Sequence, residues 1–337
     1  MTSNKLIIGG ALALLAGAVV MFTNSSSSKE LPEQITSAKS GQSSKPLAST
    51  WEAGEPAPFD PDRAMKYLKQ LCDLGPRISG SDGMAKMQDL LKKHFENLGA
   101  KVTFQKFEGK QRSQPKSVPM ANMIISWNPE SKTRVILCGH YDTRPIADQE
   151  RRREDWTRPF LSANDGTSTV ALLMELGNHM KKAPKMKVGV DFVIFDGEEW
   201  MFDPKRDKFF LGSDYFADNY RDHRPAYTYK SAILLDLFAG INTRFPWEEN
   251  SRFEAGGLME EVWDIAKELN VKEFVFERGD AVLDDHMGLN RVGIKAIDII
   301  DFSYPHWHKL TDLPENCSGE SMAKVAKVLS VWLQRTK

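Results

Sequence analysis

Short stretches of this sequence hold side chains able to bind a divalent cation or to move a proton. They are Gly139-His140-Tyr141-Asp142, Asn164-Asp165-Gly166, Asp196-Gly197-Glu198-Glu199, Asp236, Asp284-Asp285-His286, and Asp301 followed by Tyr304-Pro305-His306-Trp307-His308. Imidazole and carboxylate donors without thiolate suit zinc in a catalytic site, where three protein ligands leave one position open. A cation also answers an energetic problem, because each unpaired carboxylate buried away from water costs several kcal/mol. The adjacent Glu198 and Glu199 can divide the work, one ligating and one acting as a base, since neighbouring side chains at a strand end point in different directions. His306 and His308 alternate along one segment, so spacing alone leaves either as the ligand. Each piece taken singly reads as an ordinary polar turn; it is their shared position at strand ends that requires a chemical explanation.

The elements that position them are four short apolar runs, 135–138, 190–195, 232–235 and 296–300, each ending in one of these segments. Helical spacing is predicted over 83–98, 167–182 and 256–269, and for a last helix capped by Ser318 that buries Met322, Val325, Leu329 and Trp332. Continuous apolar strands separated by helices predict an α/β fold, a single-domain α/β/α sandwich with a mostly parallel central sheet. In such a sheet the loops at the carboxyl ends of the strands share one crevice, which brings residues far apart in sequence together.

With 41% apolar and 27% charged residues over 337 positions, the chain is neither disordered nor fibrous. Lys and Arg total 45 against 46 Asp and Glu, and the resulting net charge of -1 argues against nucleic acid as a partner. Cys72, Cys138 and Cys317 lack the paired spacings of a zinc knuckle or a disulfide scaffold, and Cys138 lies in an apolar run as a small buried hydrophobe. Lys5 precedes the uncharged run 6–22, and a Ser-rich stretch follows it. The expected organisation is a signal peptide or N-terminal membrane anchor over 1–22, a Ser-rich linker over 23–50 and a catalytic domain over 51–337. The first segment would engage the membrane or the export machinery. The protein would then be exported, held at the membrane facing away from the cytoplasm or secreted after cleavage.

The strings His140-Tyr141-Asp142, Ala163-Asn164-Asp165-Gly166, Phe195-Asp196-Gly197-Glu198-Glu199, Leu235-Asp236, Asp285-His286 and Trp307-His308 resemble, in this order, the motif series of the M28 zinc aminopeptidase family, which includes glutaminyl cyclases. The resemblance spans about residues 59–336. The cyclase branch is favoured by Ala121-Asn122-Met123-Ile124-Ile125 with Asn128-Pro129, by Leu234-Leu235-Asp236-Leu237, by Asp284-Asp285-His286, by Trp307 before His308, and by the long segment between Glu199 and Gly212.

The resemblance implies zinc held by Asp165, Glu199 and His308, with Glu198 as the proton-transfer residue, Asp236 and Asp285 as supporting acids, and Trp307 against the substrate. His140 and Asp236 match positions that hold a second metal in the aminopeptidases; one ion is expected here, two being the alternative. The implied activity is that of a glutaminyl-peptide cyclotransferase, which converts N-terminal glutamine of peptides and proteins to pyroglutamate and releases ammonia. An aminopeptidase that hydrolyses N-terminal residues is the alternative. Two features depart from the cyclase pattern. Asn164-Asp165-Gly166 is closer to the peptidase version, and Trp200 follows Glu199 with no further tryptophan for several residues, which leaves the aromatic wall on that side unaccounted for.

Overall fold

Alternation of apolar side chains along buried strands forces two cores, one on each face of the sheet. The computed structural model, which describes residues 50–337, contains strands β1 (Lys101–Gly109), β2 (Val118–Trp127), β3 (Thr133–His140), β4 (Gly189–Phe195), β5 (Thr228–Asp236), β6 (Phe245–Trp247), β7 (Phe274–Arg278) and β8 (Lys295–Ile300). The main sheet has the order β1-β2-β4-β3-β5-β8. β4, β3, β5 and β8 run parallel, with Leu137 opposite Phe192 and Ile233, and Leu235 opposite Ile299. Val135 and Leu137 enter the core on one face, and Ile136 and Cys138 enter the core on the other.

Helices α1 (Pro61–Cys72), α2 (Asp82–Asn97), α3 (Ser168–Met180), α5 (Glu249–Glu268) and α7 (Gly319–Arg335) fill the first layer, while α4 (Leu211–His223) and α6 (His286–Arg291) fill the second. The predicted α/β/α sandwich is thus present. So is the cap on the last helix, where Ser318 Oγ accepts from the Ser321 N–H at 3.3 Å. α5 starts earlier than the predicted 256–269. Glu248 caps it by accepting from the N–H groups of Asn250 and Ser251, and a break at Ala255, φ -139°, interrupts its spacing ahead of Gly256 and Gly257. The antiparallel hairpin β1–β2 extends the sheet beyond β4. It carries Lys, Gln, Glu and Asn among its apolar residues, so it shows no continuous apolar run.

The short parallel pair β6–β7 lies outside the main sheet and serves the site indirectly. Glu248, just after β6, also accepts from the Val282 N–H at 2.8 Å, which fixes the chain just before Asp284.

The run 6–22 and the Ser-rich stretch after it lie outside the described residues. Among the described residues, no helix is long and apolar enough to cross a membrane. Trp51 is already packed in the core at 3% exposure, and Gly54 and Ala57 are tied to α7 through Gln334 and Ser330. Deleting residues 1–49 should therefore leave melting temperature and specific activity unchanged. Thermal denaturation and turnover of the truncated protein check this, and a drop in either would show that the tail supports the domain.

Candidate metal centre and proton-transfer site

Each parallel strand delivers acids or histidines to its carboxyl end. His140 ends β3, Glu198 and Glu199 follow β4, Asp236 ends β5, and the chain after β8 turns through Asp301 to His308. Asp165 comes from the irregular turn Ala163–Thr167 ahead of α3. Two groups of ligating atoms result, each within 4.8 Å: His140, Asp165 and Asp236, and Asp165, Glu199 and His308.

Asp165 sits between them. Its Oδ1 lies 3.0 Å from His140 Nε2, and its Oδ2 lies 3.5 Å from His308 Nε2. His308 Nε2 is 2.8 Å from Glu199 Oε1, while His140 Nε2 is 3.5 Å from Asp236 Oδ1. His306 is turned away, its Nδ1 2.9 Å from Thr311 Oγ1, so the fold selects His308 of the two alternating histidines.

Backbone strain accompanies this geometry. His308, Ser162, Phe210 and Leu237 are non-glycine residues in the left-handed region, with φ of 53°, 54°, 63° and 48°. Each flanks or belongs to the site, and such conformations cost on the order of 1–3 kcal/mol apiece unless the surroundings enforce them. Gly166, φ +77°, is a further constraint: a Cβ there would lie 2.5 Å from the His140 ring. Gly166→Ala should therefore displace His140 and lower both activity and stability, by about 1–3 kcal/mol for an overpacked site. Wild-type activity with an unchanged melting temperature in that variant would refute the contact.

Ordered hydrogen bonds aim the side chains. Asp142 accepts from the N–H groups of Glu198 and Glu199 at 3.2 and 3.0 Å, which fixes the turn carrying both acids. Asp312 does the same for the metal loop, accepting from the N–H groups of Asn164 and Asp165 at 2.9 and 3.2 Å and from the Tyr304 hydroxyl at 2.8 Å. Burial, followed by the charge of Asp165, pushes the Asp312 carboxyl up to about 7. Asp148 holds His308 Nδ1 at 3.0 Å and thereby leaves Nε2 facing Glu199. Arg144 pairs with Glu199 Oε2 and, at 2.9 Å, with Asp148 Oδ2, so only Oε1 of Glu199 remains for a ligand. Asp148, Arg144 and Asp312 were not legible in the sequence, since charged residues in connecting segments read as solvated.

The site fits a divalent cation. His140 Nε2, Asp165 Oδ2 and Glu198 Oε2 are buried without a hydrogen-bond partner. Burial disfavours charge on His308, but Glu199 and Asp148 more than offset it and raise its pKa to about 9. Burial and the neighbouring Glu199 push Glu198 well above the usual carboxylate range, with His140 opposing.

A cleft of about 470 Å³ opens onto Glu198, Glu199, Asp236 and His308. Trp307 lines it, with its ring 4.1 Å from that of His308 and 4.9 Å from that of Phe302. On the side where no tryptophan follows Glu199 closely, Phe209 and Phe210 line the cleft. Of the doubled acids, Asp284 faces the cleft with Asp236. Asp285, which the family resemblance implies as a supporting acid alongside Asp236, is fully buried, does not line the cleft, and is pushed up to about 7, chiefly by burial.

The chain matches the model of Peptidase family M28 over residues 122–333. It is 51% identical to the crystal structure of Fimbriiglobus ruber glutaminyl cyclase, covering 84% of this chain and 97% of that one with a TM-score of 0.82. It is 32% identical to a leucine aminopeptidase precursor from Bacteroides thetaiotaomicron, covering 84% and 99% with a TM-score of 0.79. Against the glutaminyl-peptide cyclotransferase of Bos taurus it is 24% identical, over 63% of this chain and 65% of that protein. Strand-end ligands, the shared Asp165 and the family match over most of the described domain lead to one conclusion: the chain belongs to peptidase family M28.

Proposed function

We propose that the protein is a metal-dependent glutaminyl-peptide cyclotransferase acting on peptide and protein N-termini. The observation that carries this reading is its similarity to the Fimbriiglobus ruber glutaminyl cyclase along nearly the whole of that chain. The cleft supports it: an aromatic-walled recess at Glu198 suits one uncharged side chain with the α-amine beside it.

Asp165, Glu199 and His308 would hold zinc, which when bound supplies Lewis-acid polarisation of the side-chain amide carbonyl. Glu198 takes a proton from the α-amine as its nitrogen attacks the δ-carbon, and returns it to the amide nitrogen as that C–N bond breaks and ammonia leaves. Asp236 and Asp284, side by side on the cleft wall, orient the amine. Trp307 and the two phenylalanines exclude water, which would otherwise compete as nucleophile.

One ion per chain is proposed. The group Asp165, Glu199 and His308 is buried throughout, whereas Asp236 is partly exposed and its Oδ1 already accepts from the Leu237 N–H at 2.9 Å. Elemental analysis after dialysis against metal-free buffer should give one zinc. Two tightly held ions, with free amino acids released from unblocked peptides, would support the aminopeptidase instead. The uncharged run 6–22 supports export with the domain outside the cytoplasm, testable by protease access to intact cells.

A further inference from the structure

The loop that follows Glu199 is closed by a residue outside the cleft. Gln111, in the connection from β1 to β2, is 1% exposed, and both ends of its side-chain amide bind the backbone of that loop. Its Nε2 donates to the carbonyls of Trp200, at 2.8 Å, and Lys208, and its Oε1 accepts from the Lys208 N–H at 2.9 Å. One amide thus joins the two ends of the span 200–208. The same connection grips the loop again through Asp207. This carboxylate accepts from the Ser113 N–H at 2.8 Å, from the Ser113 hydroxyl, and from the N–H groups of Phe202 and Asp203 at 3.0 and 3.1 Å. Arg206 adds a bond to the Arg112 carbonyl at 2.8 Å.

Immediately beyond Lys208 come Phe209 and Phe210, which line the cleft. Phe210 donates its N–H to the Glu198 carbonyl at 3.3 Å, and the Arg144 guanidinium lies 5.3 Å from the centre of the Phe209 ring. The side chains proposed to hold the metal are anchored mainly from outside this loop, which touches Glu199 through the Met201 N–H on its carbonyl and through Arg144 beside Phe209. Glu199 is fixed by Asp142, Asp165 by Asp312 and His308 by Asp148. A shift of the loop therefore moves the aromatic wall first, while the anchors on Asp142, Asp312 and Asp148 stay in place.

We propose that Gln111, with Ser113 and Asp207, is a positioning device that sets the wall formed by Phe209 and Phe210 and so determines how tightly the first side chain of the substrate fits. This rests on the cleft being the seat of a peptide N-terminus. A Gln111 that merely filled space between the hairpin and the loop would make a different demand, for volume rather than for its amide.

Gln111→Met keeps side-chain length and volume and removes all three hydrogen bonds, while Asp207→Asn weakens the second grip from a less buried position. In both variants KM should rise by about tenfold with kcat little changed, the signature of lost binding that is uniform along the reaction. Metal content should stay at the wild-type level. Trypsin should cut after Lys205, Arg206 or Lys208 about tenfold faster than in wild type, at a temperature where the domain stays folded, because a released loop opens locally. The cleavage readout needs no substrate, so it stands even if the wild-type enzyme fails to cyclise glutamine. Wild-type KM and cleavage rate in both variants would overturn the proposal. So would a fall in kcat and metal content at constant KM, which would place Gln111 in structural support of the ligands.

Discussion

Glu198→Gln should lower turnover by about 10²- to 10⁴-fold, the range expected when a positioned general base is lost. The substitution preserves the shape of a side chain that is 7% exposed and lines the cleft. Its acceptor Oε2 is buried without a hydrogen-bond partner, 3.7 Å from His140 Nδ1, so the oxygen is free to exchange a proton with a substrate. Burial and the neighbouring Glu199 hold its carboxyl well above the ordinary glutamate range, with His140 opposing. Glu198 lies outside the group Asp165, Glu199 and His308, so zinc content should remain at the wild-type level. Loss of metal in this variant would exchange the roles of the two adjacent glutamates.

The second large effect is expected at His308. His308→Ala removes one of the three side chains proposed to hold the metal and should abolish both metal retention and activity, because a three-ligand site cannot spare one. A graded series makes the expectation specific. Asp148→Asn keeps the imidazole but weakens its anchor, and should reduce metal affinity by about 10- to 100-fold. His306→Ala should change neither property, since His306 pairs with Thr311 away from the cleft. Metal titration followed by activity assay on the three variants checks the order. Full metal retention by His308→Ala would leave His140, Asp165 and Asp236 as the holding group.

The parallel core of the fold was legible because β3, β4, β5 and β8 are mostly buried and read as short apolar runs, interrupted only by Asp191 in β4 and Asp298 in β8. The same burial made the ends of those runs informative, and His140, Glu198, Glu199 and Asp236 all lie there. β1 was not legible, because its half-exposed residues alternate with charged ones at the sheet edge. Residues that act through others escaped for a related reason. Asp148, Arg144 and Asp312 are charged side chains in connecting segments, and only tertiary packing shows that Arg144 and Asp312 are buried, that Asp148 is half-buried, and that all three are aimed at the site. The choice between Asp284 and Asp285 lay beyond spacing altogether. It depends on how the turn before α6, tied to Glu248 through Val282, presents two adjacent side chains.

In the proposed reaction the α-amine of the substrate displaces its own side-chain amide nitrogen within this cleft. A peptide beginning with glutamine, isotopically labelled at that nitrogen, tests it directly. The label should appear entirely as ammonia, in equal amount to a peptide whose N-terminus has become blocked. Label retained in free glutamine, with a shortened peptide carrying an open N-terminus, would contradict it and identify the activity as hydrolysis.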